Sequence, residues 1–513
     1  MKVQRALISV FNKRGLETFA RGLTDLGVEI VSTGGTARTL SEAGIPVTLV
    51  EDVTGFPEML DGRVKTMHPK VQAGILAKRD VPEHMKTIAE HDIKPIDMVV
   101  VSLYPFEEVA GRRGVTEEVV IENIDIGGPT MIRAAAKNHA AVAVITDPGD
   151  YEPILEELKA GEGELKSATL RALATKAFHR TAHYDTVIAN WFSETEGDFP
   201  GHFLRDYEKV MDLNYGENPH QRAAYYAEVG ARRHLLSRVT QLHGKQLSFN
   251  NLYDLNAARS IASEFALPCC VIIKHNNPCG CALGDKLGSA YEKAYECDPV
   301  SAFGSVIAVN RTIDVETATR MAELFIEVLF APGFEDEALE TLTKKADIRV
   351  LVDKERRQMN PGDMDYKRVL GGVLVQDKDS DVEERDQMKV VTRRHPTEAE
   401  WGDLLFAQRV AKHVKSNAIV IAKNLATLGV GAGQMSRVDS TRIAIEKARG
   451  DLKGASIGSD AFFPFQDAPE IAMDNGIMAF MEPGGSKRDD DVVKACDERG
   501  AALVFTSRRH FLH

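Results

Sequence analysis

Short, uninterrupted apolar runs alternating with amphipathic segments limit most strongly how this chain can fold. RALISV is followed by a helix-like NKRGLETFARGLTDLG, then VEIVST, a glycine turn and a second helical segment, ARTLSEAG. Further runs stand at DMVVVSLY (97–104) and AVAVIT (141–146). A strand with one wet face alternates apolar and polar residues; these runs do not, so they fit a parallel sheet covered by helices on both sides. Asn12 is placed to cap the first helix and Gly27 to end it. A helical stretch from about Ser167 to Glu194 closes this α/β unit, and the polar ETEGDFPGH (194–202) reads as a linker. The alternation then resumes and ends with IMAFMEPGG, the helix KRDDDVVKACDERG and the strand AALVFT. CCVIIKHNNP near 270 and NAIVIAKNLA near 417 are alike, each an apolar strand ending in a lysine-bearing turn, which hints at two related subdomains.

A chain of 513 residues suggests two to four domains with full cores. The 63 Lys and Arg against 76 Asp and Glu give a net charge of -13, spread along the sequence, which argues against a nucleic-acid partner and leaves a small anionic substrate open. No apolar run approaches the ~20 residues that cross a bilayer, and the apolar part of MKVQRALISVFNKRGL is too short for a signal peptide. A cytosolic protein without a membrane partner is expected. Cys269, Cys270, Cys279 and Cys281 cluster around His275, but adjacent cysteines and C-x-C lack the C-x2-C spacing of structural zinc, so reduced thiols and no metal are expected.

Within CVIIKHNNPCGC (270–281), Val271 to Ile273 form a short buried strand that Asn-Asn-Pro-Cys-Gly is expected to break. Lys274 and His275 then stand at a strand's C-terminal end, where open α/β sheets bind ligands. An imidazole can take a proton near neutral pH while the ammonium beside it holds developing negative charge. A solvent-facing strand end is the plain alternative. STGGTA (32–37) opens a helix after a strand and can offer backbone N–H groups to a phosphate, or serve as a tight turn. GRVKTMHP (62–69) supplies Arg63, Lys65, Thr66 and His68, either for an anion or as a solvated loop. IDIGGPTMIRAAAKNH (124–139) puts Asp125 before a Gly-Gly turn and Lys137 about two turns below the helix start, where it can also be an ordinary helix cation. Tyr104, before a proline, reaches the same sheet edge as STGGTA.

Together with TGFPEMLDGRVKTMHP, LYPF, YGENPHQ, GAGQMSR, SDAFFPF, PGGS and RRHFLH, these segments resemble, in order and over essentially the whole chain, the bifunctional purine biosynthesis enzymes that join AICAR transformylase to IMP cyclohydrolase. The resemblance implies an α/β chain: a methylglyoxal-synthase-like cyclohydrolase domain at 1–198, then a transformylase domain at 199–513 built of two cytidine-deaminase-like subdomains without catalytic zinc. It implies formyl transfer from 10-formyltetrahydrofolate to AICAR, then closure of the product FAICAR to IMP with loss of water. By the same resemblance Ser9, Lys13, Thr33, Gly34, Gly35, Thr36, Arg63 and Thr66 hold the nucleotide, and Lys65, Tyr104, Asp125 and Lys137 form the cyclisation set. His275 matches the base of formyl transfer and Lys274 the group that steadies the oxyanion or steers a proton. Asn214, Tyr215, Phe303, Gly304, Glu327, Asn417 and Arg437 match the ribotide site, and Phe462, Ser486, Lys487 and Arg509 match positions that face the folate or its neighbourhood. A homodimer is implied.

Two departures stand out. Relatives usually carry arginine where this chain has Asn214, and SVFNKRGL replaces SVSDKTGL, changing Phe11 and Asn12 while keeping Ser9 and Lys13. Two other readings share the residues: a nucleotide-binding homologue with impaired turnover, and a nucleotide deaminase, whose P-C-x-x-C motif Pro278-Cys279-Gly280-Cys281 misses by one residue.

Overall fold

The structure, a computed structural model, describes residues 1–57, 59–60, 64–193, 197, 199–229, 236, 239–353, 363–381 and 384–513. Two compact units divide the chain: Met1–Asp206 with Glu228–Gly230, and Tyr207–Ala227 with Ala231–His513.

The first unit holds β1 (Arg5–Val10), β2 (Glu29–Ser32), β3 (Thr48–Leu49), β4 (Met98–Ser102) and β5 (Ala143–Ile145), all parallel in the order β3-β2-β1-β4-β5. Leu7, Ile8, Val99, Val100 and Val144 are buried with Phe19, Leu23, Ile132 and Leu158 from the covering helices, which is why these strands read as continuous apolar runs. Strand order reverses between β1 and β4, so their carboxyl ends open a crevice. The first helix, Leu16–Asp25, starts later than expected, at Gly15 with φ +71, and Asn12 does not cap it. The Asn12 side chain instead accepts the N–H of Arg14 at 3.0 Å, a local turn that competes with helix. That turn leaves Lys13 at the mouth of the crevice. The long helix runs Ser167–Ser193, as the pattern predicts.

In the second unit β6 (Tyr207–Leu213) and β7 (Ala223–Glu228) form one ribbon. A twelve-stranded sheet follows. Its first half is β8 (Thr240–His243), β9 (Cys269–Lys274), β10 (Asn277–Leu283), β11 (Ser305–Val309), β12 (Ile326–Ala331) and β13 (Arg349–Val352). After a separate ribbon of β14 (Met364–Val369) and β15 (Gly372–Asp377), the second half is β16 (Lys389–Val390), β17 (Ile419–Lys423), β18 (Ala426–Gly431), β19 (Ser456–Ser459), β20 (Ala479–Glu482) and β21 (Ala502–Phe505). The order β16-β21-β20-β19-β17-β18-β10-β9-β11-β12-β13-β8 reads the same from either edge: each half repeats one topology, and the two meet where β18 pairs antiparallel with β10. The likeness of the 270 and 417 segments is thus a structural repeat.

Cys269, Val271 and Ile273 enter one core and Cys270 and Ile272 the other, so β9 is buried on both faces. Here the structure keeps part of the sequence reading, since β9 ends at Lys274 as expected, and corrects the rest. Asn-Asn-Pro-Cys-Gly does not end the sheet: the chain turns at His275 and Asn276, with φ +51 and +62, and returns as β10. Pro278 is accommodated because the ladder shifts register between Pro278 and Gly280, where a missing N–H costs no regular pairing. Lys274 and His275 therefore occupy a hairpin tip beside the entry to β11, and not the C-terminal edge of a parallel sheet, since β9 is antiparallel to both neighbours.

Gly280 and Gly429 take equivalent places in the two hairpins, and a Cβ on either would run into the backbone carbonyl of Ala294 or Ala444. Gly280→Ala should destabilise the protein by about 1–3 kcal/mol through overpacking. An unshifted urea midpoint would contradict that close approach.

Candidate active sites

In the first unit the carboxyl ends of β1, β2 and β4 converge. The helix Gly34–Glu42 starts at Thr33, whose hydroxyl makes no capping bond and lies 3.4 Å from that of Ser9. Its first N–H groups are therefore open to an anion, and a Cβ on Gly34 or Gly35 would meet nothing within 4 Å. Lys13 points into the same corner: its ammonium donates to Thr36 Oγ1 at 2.9 Å and to the Val10 carbonyl, and burial lowers its pKa. Ser9, Lys13 and Thr33 to Thr36 thus form one cationic, N–H-rich corner.

Across the crevice, Lys65 is paired with Glu51 at 2.8 Å and holds that carboxyl below its usual range. Burial raises the Asp125 pKa, although its Oδ1 accepts the Gly128 N–H at 2.8 Å and the Tyr104 N–H also binds it. Tyr104 is raised by burial, then by Asp125, with Lys65 opposing. Gly127 and Gly128 open the helix Gly127–Lys137, and a Cβ there would strike Thr66 and Asp125 respectively, so Thr66 lies against the helix start. Lys65, Thr66, Tyr104 and Asp125 are brought together. Lys137 is not: it is the exposed last residue of that helix, about 15 Å along the axis from Gly127. Arg63 lies outside the described residues. Sequence reasoning missed Tyr184, which accepts the Asp125 N–H at 2.8 Å and fixes the turn.

In the second unit the site forms around the β9–β10 hairpin. The Lys274 ammonium donates to the carbonyls of Phe303 (2.9 Å) and Gly304 (2.7 Å), which leaves one of its protons free. Gly304 has φ +65, and the Phe303 and Phe325 rings stand 5.2 Å apart beside it. Asp254 accepts the Asn276 N–H at 2.7 Å and binds the His275 backbone; burial raises its pKa, His275 lowers it and Glu327 raises it. Glu327 accepts from Asn251 at 3.1 Å and faces Arg349 at 3.7 Å. The imidazole is exposed at the tip. The Tyr215 carbonyl accepts the Phe249 N–H, and the Asn214 N–H donates to the Leu247 carbonyl, leaving its exposed side chain outward.

The second half reaches the same hairpin. Asn277 donates to the His275 carbonyl at 3.2 Å and accepts the Lys415 N–H at 3.0 Å. Next to Lys415, Asn417 donates to the Gln434 carbonyl and its own carbonyl accepts from Ser440. Arg437 is buried, donating to Phe462 O at 3.0 Å and Ser459 at 3.1 Å and pairing with Asp460. Asp460 O accepts the His510 N–H, which draws in Arg509, itself 4.3 Å over the Phe511 ring. Glu482 is fully buried and accepts the Phe463 N–H; burial pushes its pKa up to about 8, with Asp489 adding to the rise and Arg437 opposing. The turn after it carries Ser486, bound to Asp489 at 2.9 Å, and the exposed Lys487. Asp254, Asn277, Asp460 and Glu482 were not singled out from sequence. The repeat could have exposed the first, since Asp254 and Asp403 each stand twenty residues before the lysine of their hairpin.

Among the described residues no three His, Cys, Asp or Glu side chains are grouped as a metal ion would require. Burial holds Cys270, Cys279, Cys281 and Cys297 above the usual thiol range. No described helix is long and apolar enough to cross a membrane.

Known proteins match this sequence over its full length. The AICARFT/IMPCHase bienzyme family matches residues 135–447 and the MGS-like domain residues 15–130. The "Bifunctional purine biosynthesis protein PurH" of Magnetococcus marinus is 50% identical, covering 100% of both chains, and that of Acetivibrio thermocellus is 51% identical with the same coverage. A solved structure titled "Crystal structure of ForH" is 38% identical over 37% of this chain and 99% of its own, with a TM-score of 0.33, too low to bear on the fold. The chain belongs to the AICARFT/IMPCHase bienzyme family.

Proposed function

We propose that the chain performs both reactions of its family in purine biosynthesis, with formyl transfer in the second unit and ring closure in the first. The observation that carries this reading is that each unit gathers its own proton-handling group beside an anion corner or a hairpin tip.

In formyl transfer the amine of AICAR attacks the formyl carbon of 10-formyltetrahydrofolate. The amine sits on an electron-poor imidazole and is a weak nucleophile, so His275 takes its proton as the C–N bond forms. Lys274, pinned by two carbonyls, turns its remaining N–H to the developing oxyanion, and the bond to the folate nitrogen breaks as that nitrogen is protonated. Phe303, Gly304, Glu327, Asn417 and Arg437 line the ribotide side; Phe462, Ser486, Lys487 and Arg509 face the pterin. In ring closure the carboxamide nitrogen of FAICAR adds to the formyl carbon and water leaves. Both groups are already on one ring, so holding them in reacting geometry supplies much of the rate. Asp125 and Tyr104, both shifted towards their protonated forms, relay protons beside the Lys65 ammonium. Lys137, exposed at the far end of its helix, is left out of this relay, and the active assembly is a homodimer.

Purified protein given AICAR and the formyl folate should consume folate and form IMP, followed by absorbance. Asp125→Asn should leave folate consumption intact and block cyclisation; the reverse pattern would overturn the division between units. Asn214→Arg should lower the KM for AICAR, since a charged hydrogen bond to phosphate is worth about 1.5–3 kcal/mol. An unchanged KM would show that another group already holds the phosphate.

A further inference from the structure

The second hairpin of the large unit repeats the anchoring of the first without its base. The Lys423 ammonium donates to the carbonyls of Asp451 (3.2 Å) and Lys453 (2.8 Å), as Lys274 does to Phe303 and Gly304. Asp403 accepts the N–H groups of Asn424 (3.0 Å) and Leu425 (2.7 Å), the task of Asp254 in the first hairpin. Asn424, with φ +54, takes the place that His275 holds at φ +51. An amide cannot accept a proton near neutral pH, so this hairpin keeps a cation and loses general-base chemistry.

Beside it opens a cleft of about 430 Å³, lined by Lys293, Glu296, Cys297, Lys423, Asn424 and Arg449 among others. The Lys293 ammonium lies 3.4 Å from the carbonyls of Leu283 and Asn424. Each lysine thus commits two of its three donors to the backbone and keeps one. Arg449 is exposed, and among the described residues no carboxylate pairs with it. Three cations therefore face one lining carboxylate, Glu296. The thiol of Cys297 is pushed up to about 11 by burial, so it contributes neither charge nor a nucleophile. The volume exceeds what a bare phosphate fills and falls in the range of small-ligand sites.

We propose that this cleft is a second, non-catalytic binding site for a phosphate-bearing small molecule, with Lys293, Lys423 and Arg449 on the phosphate. The site is independent of the transformylase reading, because none of its residues belongs to that centre.

Lysine acetylation of the full-length protein, read residue by residue by mass spectrometry, tests it with two probes, inorganic phosphate and adenosine monophosphate. Adenosine monophosphate should protect Lys293 severalfold, and at lower concentration than inorganic phosphate does. Arg449→Gln should abolish that protection, leaving Lys274 reactivity and turnover in both reactions unchanged. Three results would overturn the proposal: Lys293 rates indifferent to both probes, protection that survives in Arg449→Gln, or protection by inorganic phosphate alone.

Discussion

Replacing His275 should cut formyl transfer by about 10²- to 10⁴-fold, the usual weight of a positioned general base, while cyclisation of supplied FAICAR continues at the wild-type rate. Alanine is a poor choice on its own, because position 275 sits at φ +51, where most L-residues are strained. His275→Asn avoids that difficulty. Asparagine tolerates the left-handed region, and the protein itself places Asn424 at the corresponding turn of the second hairpin. The Asn variant should fold as the wild type does, bind ribotide and fail in transfer. Its KM for AICAR should barely move, since the imidazole acts on the amine proton and the backbone anchors through Asp254 and Asn277 remain. Transfer at near wild-type rate in a folded His275→Asn protein would remove the imidazole from the mechanism.

Glu482→Gln should stabilise the protein, and by more at higher pH. The carboxyl is fully buried, its Oε1 has no hydrogen-bond partner among the described residues, and its pKa stands at about 8 against an ordinary 4.5. Between those values the unfolded chain has lost the proton and the folded chain keeps it. The group's contribution is therefore complete below about pH 4.5 and is lost as pH rises to about 8. The slope is about 1.4 kcal/mol per pH unit, so two units within that window are worth about 3 kcal/mol. Burial sets the direction and the Phe463 N–H opposes it; of the charges facing the group, Asp489 from the following helix favours the proton, while Arg437, itself paired with Asp460, opposes it, and the Cys496 thiol stays protonated. Glutamine keeps the shape and the acceptor for the Phe463 N–H and has no proton to lose. Urea midpoints of the two proteins should diverge from pH 6 to pH 8; a constant gap would mean that Glu482 is already ionised when folded. Because the residue ties the Phe462–Phe463 loop to the turn carrying Ser486, the wild type should also lose folate affinity on the alkaline side, and the glutamine variant should not.

Much of the architecture was legible in local pattern. The runs at Arg5–Val10, Met98–Ser102 and Ala143–Ile145 became buried parallel strands because consecutive apolar residues point to both faces and need cover on each. The helix Ser167–Ser193 and the terminal helix Asp489–Arg499 followed their periodicity. The misreadings lay at turns. Asn12 looked like a cap but bonds to Arg14, and Asn-Asn-Pro looked like a break but makes a hairpin whose proline falls on a bulge. In both cases a short polar side chain has several local options of similar free energy, and only the packing around it chooses.

Residue chemistry was fixed by the sequence alone: an imidazole beside an ammonium, a Gly-Gly pair able to open a helix to an anion, and apolar runs long enough to be covered twice. Tertiary structure decided which of these groups meet. Asp254 reaches the His275 turn, Lys415 reaches Asn277 and Glu482 reaches Phe463. Those outcomes depend on strand order and direction, in the Lys415–Asn277 contact across 138 residues, set by burial of whole faces, to which local propensity is blind.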